Sequence, residues 1–178
     1  GYFLAASLAG LSAGLLPQQP MTRVEIVGYS RAARTTVKFN RAQLDTLAAS
    51  GVFIVTQNGN NGQIFARHAL TTGAYTDINQ REESVTRNVD YVSYAVRDVL
   101  DPFIGIYNIN QNIINRVSLA LRESLDTFTV NTTTTGPVLI AYADLAVVQD
   151  SLLKDKLNVT VNISVPYALN NIAVRLIV

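Results

Sequence analysis

The sequence closes on Leu157-Asn158-Val159-Thr160-Val161-Asn162-Ile163-Ser164-Val165, then Pro166, and then, after Tyr167 to Asn171, on Ile172-Ala173-Val174-Arg175-Leu176-Ile177-Val178. The first run alternates apolar and polar residues. A period of two marks a strand with one dry and one wet face. Pro166 ends it, because proline has no N–H to give to a ladder. The second run is apolar on both faces apart from Arg175. Chain ends fray unless something ties them down. So apolar an end predicts a strand inside a sheet, either the chain's own or a neighbour's.

Working outward, 178 residues are enough for one domain with a sizeable core. No initiator Met precedes Gly1, and Met21 is the only Met, so the expectation is a single domain from a longer protein. The net charge of +1 predicts no strong attraction to nucleic acid or anionic membrane. Charged residues make up 15% of the chain, against about 25% in ordinary soluble domains, while 48% are hydrophobic. Such a chain is short of polar groups to cover itself, so part of its surface is expected to lie against other protein. The absence of Cys excludes a disulfide frame and a thiolate metal site.

Tyr2 to Leu16 is apolar almost all round and shorter than the about 20 residues that span a bilayer. It reads as a buried helix closed by Pro17-Gln18-Gln19-Pro20, with Gly10 and Gly14 allowing close packing. Arg23 to Val27 reads as a short strand, followed by a loop. Asn40-Arg41-Ala42-Gln43 has the pattern of a capping box. It opens a helix with Leu44 and Leu47 that Gly51 ends in a left-handed cap. Val52 to Val55 and Ile64 to Leu70 read as strands joined by the hairpin signal Asn58-Gly59-Asn60-Asn61-Gly62. Thr71 to Glu83 reads as a polar loop, with Ser84 capping the next helix.

Val85, Val89, Val92, Val96 and Val99 recur at spacings of three and four, as do Ile113, Val117, Leu121 and Leu125 beside Ile114. Two amphipathic helices follow, broken at Asp101-Pro102 and expected to pair as an antiparallel αα-hairpin. After a turn at Thr132 to Pro137, Val138 to Val148 reads as a strand, and Asp150 to Lys156 as a polar connector. The fold class is α+β: about five or six mainly antiparallel strands with about three or four helices packed on one face.

Catalytic patterns are sparse. The one histidine, His68, sits on an expected strand beside Arg67, with no nucleophile motif around any Ser. It reads as a partly exposed strand residue. Glu82, Glu83 and Asp77 form no metal-ligand pattern and suit the positive end of the helix that follows. No phosphate-binding glycine loop appears. Arg31, Arg34, Lys38 and Arg41 form a modest basic patch without interleaved aromatics, a weak signal for nucleic acid that fits an acidic protein neighbour at least as well. The reading is therefore of a non-enzyme with no catalytic, cofactor or metal residues and no cofactor, nucleic-acid or membrane-insertion role.

Several segments, in their order, resemble the C-terminal part of contractile tail sheath proteins of bacteriophages. They are Leu8-Ala9-Gly10-Leu11 with Leu16-Pro17, Gly51 to Val55, Ala66 to Thr72, Val85 to Val99 with Arg87-Asn88-Val89-Asp90-Tyr91, and Pro166 to Ile172. The resemblance implies an α+β domain packed helically around a tail tube. It implies arms that add strands to neighbouring subunits, and contraction that drives the tube through the host envelope. Carried onto this chain, Ile172, Val174, Arg175, Leu176, Ile177 and Val178 form the inter-subunit strand. The implied partners are other copies of the chain, the tail tube protein, and baseplate and tail terminator proteins. The implied place is the virion, after assembly in the host cytoplasm. The alternatives are a type VI secretion or other contractile injection sheath, or a baseplate or host-surface binding module.

Overall fold

The structure is a computed structural model and describes residues 1–32, 39–57, 59, 62–73, 77–131, 133–170 and 172–175. The chain divides into two compact units, one of Gly1–Thr86 with Tyr167–Val178 and one of Arg87–Pro166.

The first unit opens on helix α1 (Tyr2–Gly14). The helix forms as expected, but it is not buried: none of its residues is sequestered from solvent. Leu8 and Leu11, with Leu15 just beyond, pack partly against a small core of Met21, Ala66 and Ala69. Helix α2 (Arg41–Ala49) begins at a full capping box. Asn40 Oδ1 accepts from the Gln43 N–H at 2.9 Å, and Gln43 Oε1 accepts from the Asn40 N–H at 2.9 Å. Gly51 follows it at φ +74°, a left-handed conformation glycine takes without a Cβ clash.

Strands β1 (Ile54–Gln57) and β2 (Ile64–His68) pair antiparallel. β1 starts two residues later than the sequence indicates. The hairpin tip at 58, 60 and 61 lies outside the described residues. The strand expected at Arg23 to Val27 reduces to isolated bridges, Thr22 with Ala66 and Glu25 with Phe65. The Arg23 N–H still reaches the Ala66 carbonyl at 2.8 Å, and the Ile26 N–H the Ile64 carbonyl at 2.7 Å. Arg23 itself sits at φ +63°, which breaks the extended run. The loop expected at Thr71 to Glu83 contains a single helical turn, α3 (Ile78–Arg81), capped by Asp77.

Helix α4 (Glu83–Leu100) starts one residue before Ser84, which therefore lies buried in its first turn rather than capping it. Its valine stripe forms as read: Val85 and Val92 are buried, and Val89, Val96 and Val99 half-buried. Asp101–Phe103 is a 3-10 turn, with proline in the first turn where its missing N–H costs nothing.

In the second unit, helix α5 (Gln111–Thr129) is capped by Asn110, whose Oδ1 accepts from the Ile113 N–H at 3.0 Å. Ile113, Val117, Leu121 and Leu125 are its buried face. Strands β3 (Ala141–Gln149) and β4 (Leu157–Ser164) form an antiparallel pair. Side chains of Leu145, Val147, Leu157 and Val159 meet Ile113, Val117 and Leu121, and Val96, Val99, Leu100 and Phe103 complete the cluster. The Tyr91 and Phe128 rings meet edge to face, 5.8 Å between centroids. With the N-terminal half of α4 beside the C-terminal end of α5, the helices run antiparallel.

A bulge lies between Ala143 and Ala146, where Asp144 takes φ +54°. The extra residue shifts the pleat, so that Tyr142 before it and Leu145 and Val147 after it are the half-buried positions. Asn162 Nδ2 donates to Asp144 Oδ2 at 2.8 Å across the bulge.

The α+β class stands, with helices on one face of β3–β4. The sheet differs from the expectation of about five or six strands: two separate two-stranded sheets are present among the described residues. The reason is local. Arg23 leaves the extended region, and 172–175 finds no ladder partner within the described chain.

Candidate functional site

The residues expected to carry the assembly function lie beyond β4. Val165 is buried, and Pro166 ends the strand. The segment from Tyr167 then belongs to the first unit, where polar groups hold it. The Tyr167 hydroxyl donates to Asn79 Oδ1 at 2.7 Å. Asn170 Nδ2 lies 3.1 Å from Glu82 Oε1 and 3.1 Å from His68 Nε2. His68 Nε2 is 2.5 Å from the same Glu82 oxygen. Beyond this point Ile172 is 76% and Val174 77% exposed, and Arg175 is exposed as well. No strand includes 172–175; a strand is defined by its ladder, and the described chain offers none here. Leu176, Ile177 and Val178 lie outside the described residues.

Other apolar groups also face solvent. On α1, which carries no charged residue, Tyr2 and Phe3 are almost wholly exposed. At the β3–β4 loop Leu152 and Leu153 are exposed. Asp150 organises that loop: its Oδ1 accepts from the Leu152 and Leu153 N–H groups at 2.9 and 3.0 Å, and its Oδ2 from Asn158 Nδ2 at 2.9 Å. The Leu153 N–H, then the Asn158 amide, then the Leu152 N–H hold its carboxyl at a pKa of about 2, because each favours the charged form. The Tyr142 hydroxyl donates to Asp126 Oδ1 at 2.6 Å, and that bond raises its pKa above the ordinary tyrosine value.

A groove of about 670 Å³ runs beside α2 and the β1–β2 hairpin. Its wall includes Leu44, Ala48, Val52 and Phe65, with Arg23 and Arg41 also lining it. Arg67, another lining residue, is ion-paired to Asp45. Of the expected basic patch, Arg31 and Arg41 are exposed, while Arg34 and Lys38 lie outside the described residues. Among the described residues no group of three or more His, Asp or Glu is placed to hold a metal, and no helix is long and apolar enough to cross a membrane. His68, read from sequence as a partly exposed strand residue, does end β2 half-exposed. Its link to Glu82 and Asn170 was not legible, because those partners stand 14 and 102 residues away.

No family model matches the sequence. The tail sheath protein of Mycobacterium phage Bxz1 is 29% identical over 101 residues, which is 57% of this chain and 16% of that protein. The helical sheath of the anti-feeding prophage, solved in its contracted state, superposes with a TM-score of 0.73 at 17% identity, covering 98% of this chain and 49% of that one. The sheath tail protein Lin1278 of Listeria innocua superposes with a TM-score of 0.58 at 15% identity, covering 88% of this chain and 37% of that one. The resemblance to phage tail sheath proteins is borne out in sequence and in fold, and the chain has the α+β fold of sheath subunits. It spans less than half the length of each of these proteins.

Proposed function

We propose that this chain is the C-terminal domain of the sheath subunit of a contractile phage tail. In this reading copies polymerise helically around a tail tube, and contraction of the array drives the tube through the host envelope. The observation that carries the reading is the sheath fold itself, matched over 98% of the chain. The exposed Ile172 and Val174 support it. A strand with no ladder of its own gains many main-chain hydrogen bonds at once when it joins a neighbour's sheet. A contact of this head-to-tail kind generates a helix when its rotation does not close. Ile172, Val174, Arg175, Leu176, Ile177 and Val178 are the proposed inter-subunit strand.

The proposed partners are other copies, the tail tube protein, and baseplate and tail terminator proteins. The subunit acts structurally, without enzymatic activity, in the virion after assembly in the host cytoplasm. A second reading is a sheath of a non-phage contractile injection system. It is favoured by the match to a chain of the anti-feeding prophage baseplate, with a TM-score of 0.73 over 98% of this chain. Negative-stain imaging of the full-length protein tests both. Long hollow tubes are expected; discrete single particles at every concentration would count against either reading.

A further inference from the structure

Glu82 is 2% exposed, yet it carries a carboxylate. A buried carboxylate is costly unless hydrogen bonds satisfy it. Its backbone is pinned on both sides: the Glu83 N–H donates to the Ala69 carbonyl at 3.1 Å, and the Thr71 N–H to the Arg81 carbonyl at 2.8 Å. These bonds flank an isolated bridge between Leu70 and Glu82. The side chain is thus presented from a rigid base. His68 Nε2 lies 2.5 Å from Glu82 Oε1, and the Asn170 amide, a donor, lies 3.1 Å from the same oxygen. Two side chains therefore converge on one oxygen, one from β2 and one from the segment that leads out to Ile172. Tyr167 adds a second tie, to Asn79.

We propose that Glu82, with His68 beside it, is a latch that grips Asn170 and fixes the point from which the C-terminal segment leaves the domain. Tyr167 to Asn170 is the held part, and 172–175 the exposed part. For assembly, which rests on the sheath reading above, Asn170 is a positioning residue. A strand aimed at a neighbour loses less orientational freedom on docking when its base is already fixed.

The test is backbone hydrogen exchange of 167–175, read by mass spectrometry on the unassembled full-length protein. Asn170→Ala removes a hydrogen bond to a charged group and is expected to speed exchange there about tenfold, with the rest of the chain unchanged. Asn170→Asp places two carboxylates side by side. It is expected to open the latch at least as far, because like charges repel. Asn170→Gln keeps the amide donor and is expected to retain part of the protection, which a merely structural defect would not show. Exchange as slow as in the wild type in Asn170→Ala or in Asn170→Asp would overturn the latch. In polymerisation assays Asn170→Ala and Asn170→Asp are expected to nucleate more slowly at neutral pH. If they show the exchange effect yet assemble at the wild-type rate, the positioning role fails while the sheath reading survives. If the wild type forms no polymer, the sheath reading and that role fail together, and the exchange result still decides the latch.

Discussion

Leu121→Ala tests the packing of the second unit. Leu121 is 1% exposed and sits among Ile113 and Val117 of α5, Val96, Val99 and Leu100 of α4, and side chains from both strands of β3–β4. The change deletes three carbons at about 0.8 kcal/mol each, so the transfer term is about 2.4 kcal/mol. A site lined from three sides collapses poorly, so a cavity term adds to this and brings the cost to roughly 3–4 kcal/mol. With a urea slope of about 2 kcal/mol/M, the unfolding midpoint of this unit falls by roughly 1.5–2 M at unchanged slope. Far-UV circular dichroism through a urea series reads it. Leu119, on the same helix but 58% exposed, is the control, with an expected loss under about 0.5 kcal/mol on truncation. Equal losses for the two variants, or a loss below about 1 kcal/mol for Leu121→Ala, would refute the assignment of this face as core.

Asn88 is fully buried, and its Nδ2 donates to the Val138 carbonyl at 2.6 Å. Asn88→Ala leaves that carbonyl without its amide partner and should cost about 1–3 kcal/mol in the same urea assay; a neutral result would show that the bond contributes nothing net. Asp150, whose folded pKa is about 2 against about 3.9 unfolded, stabilises the fold above pH 4 and loses that contribution as pH falls toward 2. The stability gap between wild type and Asp150→Ala should therefore narrow over that window, measured by urea unfolding at each pH; a gap that widens on acidification contradicts the hydrogen-bonding account of the loop.

What the sequence disclosed was what neighbours along the chain decide. The alternation of Leu157 to Val165 gave β4 its boundary and its faces, because a strand's period is a property of consecutive residues. The stripe from Ile113 to Leu125 and the Asn110 cap gave α5 for the same reason, as Asn40 and Gln43 did for the start of α2. The failures lay where distant groups decide. A helix without charged residues, such as Tyr2–Gly14, demands cover, but periodicity does not say whether its own chain provides it; here Leu4, Leu8 and Leu11 are only partly covered. Arg23 looked extended by pattern and took a left-handed conformation instead. The pleat shift at Asp144 was hidden because no glycine marks it. In the candidate site, the apolar character of Ile172 to Val178 was plain, but the grip of Glu82 on Asn170 spans 88 residues, a separation at which no local pattern survives.

The claim on which the functional account turns is that the residues after the latch bind another copy of the molecule. Its most direct test removes Ile172 to Val178 from the full-length protein and compares the truncated and intact forms by sedimentation and negative-stain microscopy. The account predicts tubes from the intact protein and folded, non-polymerising subunits from the truncated one. Tubes of normal length and abundance from the truncated protein would contradict it.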